Sequence, residues 1–511
     1  MKMAKYNSFG LFAAKRRAKI KAEREETEAK KLATRQPKTT KTAPPKLDWE
    51  PMNNKKIKMP KYPINWNDES TDTHSTVLLD GITKENFKLL CMPPGTGKTA
   101  VAVETVGKMQ LLHNKKIPLV ITAPSKVVQG LGWHKTIYNW NQDHPDNTIE
   151  PLLITSVDKF KNALSHGSTF VEIVKRLGRD GLIILDEVQK YKNPTGKRAK
   201  QLQKLANIKK IGLSATPLTN DVIMDSASYL IMGGYYKNKT KFMEDTGLTN
   251  WLNHFNQIMV YKSDGSIDRL KWPYYDTLLD LWSNVLYKPD IDLSTLDMPD
   301  VKQHIIQLPF SEELNADMRS LAKAYRDRMF DSYSDFFMEY VERLHVEKNR
   351  MDKLIEIVQN PNNKQPLIFY HNVAVRDIIV NCLKSIGKSC QIVDGEHDFG
   401  TIDHDNLDPI LIQYKSGSAG IELKNSNTTI YYQNQTSAET LEQARGRNRR
   451  RGMKDDDGNL VTINQYYLIA DEPIDQELFN RVRNREEVSE DMLEEIINLA
   501  TGFKKSKDDE N

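Results

Sequence analysis

Cysteine is scarce in this chain. Three occur in 511 residues, Cys91, Cys382 and Cys390, and none stands at the spacing of a metal knuckle or a disulfide framework. Structural zinc is therefore not expected, and a reducing compartment is. Long apolar runs are also missing. No stretch approaches the roughly 20 residues that a membrane helix requires, and the apolar segment at residues 9–14 is too short for the core of a signal peptide. The expectation is a cytosolic (cytoplasmic) or nuclear chain with no membrane partner. Acidic residues are few at the start: residues 1–61 hold 18 Lys or Arg against 6 Asp or Glu, a balance of +12, so the remaining residues carry −8 to reach the total of +4. That arm has too few apolar residues to build a core. It reads as a short basic helix and a disordered linker, suited either to phosphate backbone or to solubility alone.

What is present is ample for packed domains, with 39% hydrophobic residues and 7 tryptophans. A chain of this length holds about two to four domains. Its most telling segment is Met92-Pro-Pro-Gly-Thr-Gly-Lys-Thr99, which follows the apolar Leu89, Leu90 and Cys91 and precedes a helical pattern. Strand, loop and helix in that order describe a phosphate-binding loop, with Met92 where the fuller pattern has its first glycine. Pro94, Gly95, Thr96 and Gly97 would shape a loop whose backbone N–H groups turn onto a polyphosphate. Lys98 would reach the terminal phosphates, and the Thr99 hydroxyl would ligate Mg²⁺. The implied ligand is a magnesium nucleotide.

A second segment, Gly181-Leu-Ile-Ile-Leu-Asp-Glu-Val-Gln189, reads as a buried strand that delivers two carboxylates at its C-terminal end, where open parallel sheets bind ligands. Asp186 would hold the metal, and Glu187 would orient and deprotonate the attacking water. Positive charge for the transferred phosphoryl group has one dense source, Gln443-Ala-Arg-Gly-Arg-Asn-Arg-Arg-Arg451. Its distance from the acidic pair puts it in another domain, where Arg447 and Arg450 would act as arginine fingers across a cleft. The same run also reads as a nucleic-acid patch, above all at Arg445, Arg449 and Arg451.

Periodicity yields two similar halves. Apolar runs at 89–92, 119–123, 152–156, 182–185 and 211–215 alternate with helical stretches, and runs at 366–370, 390–394, 409–414, 428–433 and 464–469 repeat the arrangement. The class is α/β with two doubly wound parallel-sheet lobes. The expected division is a basic arm at 1–61, an ATP-binding lobe at 62–231, a helical aromatic-rich insert at 232–300, a second lobe at 301–502 and a tail at 503–511.

The order of these segments, joined by Thr122-Ala-Pro-Ser125, Leu213-Ser-Ala-Thr-Pro217 and Lys415-Ser-Gly-Ser-Ala-Gly420, resembles the motif series of superfamily 2 helicases over residues 85–500. Trp133-His-Lys-Thr-Ile-Tyr-Asn-Trp140 and Asp186-Glu-Val-Gln-Lys-Tyr-Lys-Asn-Pro194 look most like the Swi/Snf-type ATPases, and the absence of large insertions resembles compact bacteriophage members, which would place the chain in a bacterial host's cytoplasm. The resemblance implies tandem RecA-like lobes that hydrolyse ATP with Mg²⁺ and move along DNA, duplex or branched. It assigns γ-phosphate sensing to Gln189, coupling to nucleic acid to Ser214 and Thr216, and closure from the second lobe to Gln443, Arg447 and Arg450. Strand contacts would come from Pro124, Ser125, Lys126, Thr155, Ser156, His371, Ser416 and Gly417. An RNA helicase and an ATP-gated binding module on a replication or transcription partner are the other readings. Ser8-Phe-Gly-Leu-Phe12 resembles the peptides that bind bacterial sliding clamps, so Phe9, Leu11 and Phe12 would either tether such a partner or anchor the arm.

Overall fold

The computed structural model describes residues 68–218, 222–249, 274–291, 298–330, 332–397, 406–414, 425–434, 437–449 and 457–484, with a strand pair at 259–261 and 267–270 and a few shorter stretches. The chain divides into two units, residues 1–45 and 46–511, and every described element belongs to the second. The basic arm up to residue 46, with Phe9, Leu11 and Phe12, lies outside the described residues, as do Ser416, Gly417 and Arg450.

Two parallel six-stranded sheets flanked by helices form two RecA-like lobes. In the first, β1 (Phe87–Cys91), β2 (Leu119–Ala123), β3 (Leu153–Ser156), β4 (Leu182–Asp186), β5 (Lys209–Ser214) and β8 (Leu286–Tyr287) lie in the order β3-β2-β4-β5-β1-β8. In the second, β9 (Asp300–Leu308), β10 (Leu367–Tyr370), β11 (Gln391–Val393), β12 (Ile410–Gln413), β13 (Thr428–Tyr431) and β14 (Thr462–Ala470) lie in the order β11-β12-β10-β13-β14-β9. Between β5 and β8 in sequence, the helices Lys239–Asp245 and Tyr275–Val285, which pack into the first lobe's core through Phe242, Leu278 and Trp282, flank an antiparallel pair, β6 (Met259–Tyr261) and β7 (Ile267–Leu270). The aromatic-rich stretch is thus not helical throughout.

Burial on both faces explains why the central strands read as continuous apolar runs. Leu89, Ile183 and Leu185 pack into one core, while Leu90, Leu182 and Ile184, their alternating neighbours, pack into another on the opposite face. The second sheet repeats this, with Phe369 and Ile412 on one side and Ile368 and Leu411 on the other. Each such side chain contributes about 1.5–3 kcal/mol. A charge at Ile184 would leave an unpaired ion between layers that exclude water. A further cluster of Leu321, Phe336, Tyr340, Leu344 and Leu478 joins the outer helices of the second lobe. No helix among the described residues is long and apolar enough to cross a membrane.

Candidate nucleotide site

Because the first sheet is parallel, β1, β4 and β5 present their C-terminal ends at one edge. The register sets Cys91 beside Ser214 and Asp186 beside Leu213. Since β5 lies between β4 and β1, Ser214 sits between the acidic pair and the phosphate-binding loop.

The loop leaves β1 with the Met92 amide donating to the Ser214 carbonyl at 3.2 Å. Gly95 (φ 79°) and Gly97 (φ 98°) occupy the left-handed region, which costs glycine least. Gly97 caps the helix Lys98–His113 without a side-chain acceptor, and the first turn of that helix carries no acidic residue. The positive end of its dipole therefore favours an anion at this end of the helix. The Thr96 hydroxyl donates to the Pro93 carbonyl at 2.8 Å. Lys98 Nζ donates to the Met92 and Pro93 carbonyls at 2.9 and 3.1 Å, which keeps the ammonium folded over the loop.

At the end of β4, burial pushes the Asp186 carboxyl up to about 6, and the adjacent Glu187 charge adds to the rise. The Trp133 indole and the Lys98 ammonium act the other way. Trp133 Nε1 donates to Asp186 Oδ2 at 3.0 Å. A cation beside this carboxylate would favour its ionised form. The donor chemistry suits Mg²⁺, which favours oxygen ligands and is usually held by one or two protein groups together with substrate phosphates. Thr99 and Asp186 supply such oxygens. No group of three or more His, Cys, Asp or Glu side chains among the described residues is placed to cage a metal.

Glu187 is held in the left-handed region (φ 52°, ψ 56°), a strained state for a residue with a side chain and one that functional sites often store. Its Oε2 accepts from the Gln189 amide at 2.5 Å, Gln189 Oε1 accepts from the Ser214 hydroxyl at 2.8 Å, and Ser214 Oγ accepts from the Thr216 amide at 3.0 Å. This chain of bonds runs from the acidic pair to the turn after β5. Ser214 is fully buried and Gln189 nearly so, so the Ser214 side chain reaches only its neighbours in this chain.

The expected strand contacts of the first lobe fall at the same edge of its sheet. Pro124 caps the five-residue helix Ser125–Gln129, and Ser125 is exposed. Thr155 and Ser156 end β3 and are mostly buried, and Ser156 Oγ accepts from the Lys159 amide at 3.3 Å. In the second lobe His371 follows β10. Its amide donates to Gln433 Oε1 at 2.6 Å and its carbonyl accepts from Gln413 Nε2 at 3.1 Å.

The two lobes touch at the loop itself. A Cβ added to Gly446 would lie 2.7 Å from the Pro94 Cβ, so the end of the arginine-bearing helix Ala438–Arg445 rests directly on the phosphate-binding loop. Gln443 is in that helix, and Arg447, 5% exposed, follows its cap. Arg445 and Arg449, which sequence groups together as a nucleic-acid patch, have different partners. Arg445 bonds Tyr467 Oη at 2.7 Å and Glu442 Oε1 at 2.5 Å, and Arg449 donates to the Pro299 carbonyl at 3.1 Å. Arg445 is therefore an internal tie, not part of a solvated patch. Sequence reasoning missed the Trp133–Asp186 bond and the His371–Gln433 bond. The Pro94–Gly446 contact it missed as well, although the glycine between two arginines was a visible mark.

The sequence matches no protein-family model and no characterised protein. Among solved structures, one similar chain is the Sulfolobus solfataricus SWI2/SNF2 ATPase core in complex with dsDNA. The likeness has a TM-score of 0.36 at 15% identity, with 87% of this chain and 97% of that chain covered. At that distance the reading of the site rests on this chain's own residues.

Proposed function

We propose that this protein is a nucleic-acid-dependent ATPase that hydrolyses ATP between two lobes and uses their closure to move along duplex or branched DNA. The observation that carries the reading is the contact of Gly446 with Pro94, because it brings an arginine-bearing element of one lobe onto the phosphate-binding loop of the other. The loop amides and Lys98 bind the polyphosphate. Thr99 and Asp186 would hold Mg²⁺, which when bound neutralises charge on the β- and γ-phosphate oxygens. Glu187 orients the attacking water and takes its proton. Arg447 and Arg450 offset charge on the transferred group, and Gln189 relays its presence through Ser214 to Thr216. Hydroxyls at Ser125, Thr155, Ser156 and Ser416, backbone amides at Lys126 and Gly417, and the His371 ring suit phosphate contacts without base readout, with Pro124 setting the turn that presents Ser125.

ATP turnover measured without nucleic acid and with single-stranded, duplex and forked DNA or RNA tests the reading, beside a triplex-displacement assay for movement. Turnover should rise most with duplex or forked DNA, and triplexes should be displaced only with ATP. Glu187→Gln should keep ATP binding and lose on the order of a hundredfold or more in turnover. Stimulation by RNA alone would replace DNA as the track. Stimulation without displacement would favour a gated binding module, and unchanged turnover in Glu187→Gln would remove the assignment.

A further inference from the structure

Trp133 is 1% exposed, yet its indole N–H points at one oxygen of Asp186 at 3.0 Å. Nothing in a packing role requires that bond, since the ring's apolar surroundings would accept a phenyl group. Trp133 is the second residue of the helix Gly132–Asp143, whose N-cap, Leu131, is held in the left-handed region (φ 57°, ψ 27°). A branched residue adopts that conformation only where its surroundings impose it. The bend that results sends Trp133 inward immediately after the short helix Ser125–Gln129, and Gly130 and Leu131 close that helix by donating to Lys126 and Val128 carbonyls. One continuous segment thus runs from the exposed Ser125 to the carboxylate at the end of β4.

We propose that Trp133 is a positioning residue: its indole N–H fixes the Asp186 carboxylate so that the other oxygen faces the metal, and ties that acid to the Ser125–Gln129 segment, through which bound nucleic acid would act on the nucleotide site. The proposal rests on the ATPase reading of the site. It adds a residue that touches neither substrate nor metal. A bond from a neutral donor to a carboxylate is stronger than one between neutral groups, and its loss frees the carboxylate to rotate away from the metal. The defect should therefore appear in metal-dependent nucleotide binding, not in nucleotide binding as such.

The test is a double-mutant cycle on full-length protein, read by the affinity of a fluorescent ATP analogue with Mg²⁺ and with EDTA. Trp133→Phe should weaken binding about tenfold with Mg²⁺ and leave it unchanged in EDTA, and it should lower the stimulation of turnover by DNA. In an Asp186→Asn background the same change should cost almost nothing further. Replacing Trp133 with a benzothiophene analogue of tryptophan, which keeps the shape and removes the N–H, should reproduce the effect even if the phenylalanine variant folds poorly. Equal losses with and without Mg²⁺, equal losses in both backgrounds, or a benzothiophene variant that behaves like the parent would each overturn the proposal. If Asp186→Asn itself leaves Mg²⁺-dependent binding unchanged, the ATP-site reading fails instead.

Discussion

Gly446 gives the sharpest test of whether the two lobes work as one site. Its backbone lies at φ −83° and ψ 1°, a conformation open to alanine, so Gly446→Ala introduces no strain of its own. The added methyl would stand 2.7 Å from the Pro94 Cβ and 3.5 Å from its Cγ. Apolar carbons rest about 3.5–4.0 Å apart, so the shortfall is about 1 Å. Pro94 is a ring fused to the backbone and cannot turn aside. Either the second lobe withdraws by about that distance or the phosphate-binding loop is pushed out of shape. A displacement of about 1 Å at a catalytic arrangement costs on the order of 10² in rate. Steady-state ATP hydrolysis at saturating ATP and DNA should fall by that factor while the thermal midpoint stays close to the parent's; affinity for a fluorescent nucleotide stays close as well if the lobe withdraws, and falls if the loop deforms. Pro94→Gly removes the opposing ring, so the double variant should recover part of the loss. Parental turnover in Gly446→Ala would show that hydrolysis does not need this contact, and the case for a site shared between lobes would fail with it.

How much of this could be read from sequence depended on how completely each element is buried. The central strands announced themselves because both faces are covered, so Leu182 to Leu185 or Leu367 to Tyr370 had to be apolar throughout. β9 did not, because it lies at the sheet edge, pairs only with β14 and leaves Lys302, Gln303 and Ile305 exposed. β8, with two residues, is too short to carry a period. The loop at 92–97 and the two carboxylates ending β4 were legible in place because each is marked by a pattern within a few consecutive residues. The Trp133–Asp186 bond is not, since it joins residues 53 apart in sequence and a tryptophan in an amphipathic helix reads as core. The arginine run was legible as charge, with finger and patch readings for its members, but the partners of Arg445 were not. Only the fold shows that Tyr467 and Glu442 hold Arg445 while Gly446 meets the other lobe.

Two further predictions concern the relay and the core. Ser214→Ala removes the hydroxyl that joins Gln189 to the Thr216 amide. It should lower the ratio of DNA-stimulated to basal ATP turnover several-fold while basal turnover changes little, and an unaltered ratio would show that the relay carries no signal. Lys210, fully buried in β5, donates from Nζ to the carbonyls of Ala206, Ile208 and Met232 at 3.3, 2.6 and 3.2 Å. Burial pushes its amine down to about 7. Between there and the ordinary lysine value of about 10.4, the unfolded chain holds a proton that the folded chain has released, so stability rises with pH across that window by at most about 1.4 kcal/mol per unit. The three carbonyls favour the ammonium and reduce the slope. Lys210→Met fills similar space without a charge and should lack this gain. Thermal midpoints of the parent and variant, taken at several values between pH 7 and pH 10, should therefore diverge in the parent's favour as pH rises. A difference that stays constant would mean that Lys210 keeps its proton in the folded protein, with the three carbonyls outweighing burial.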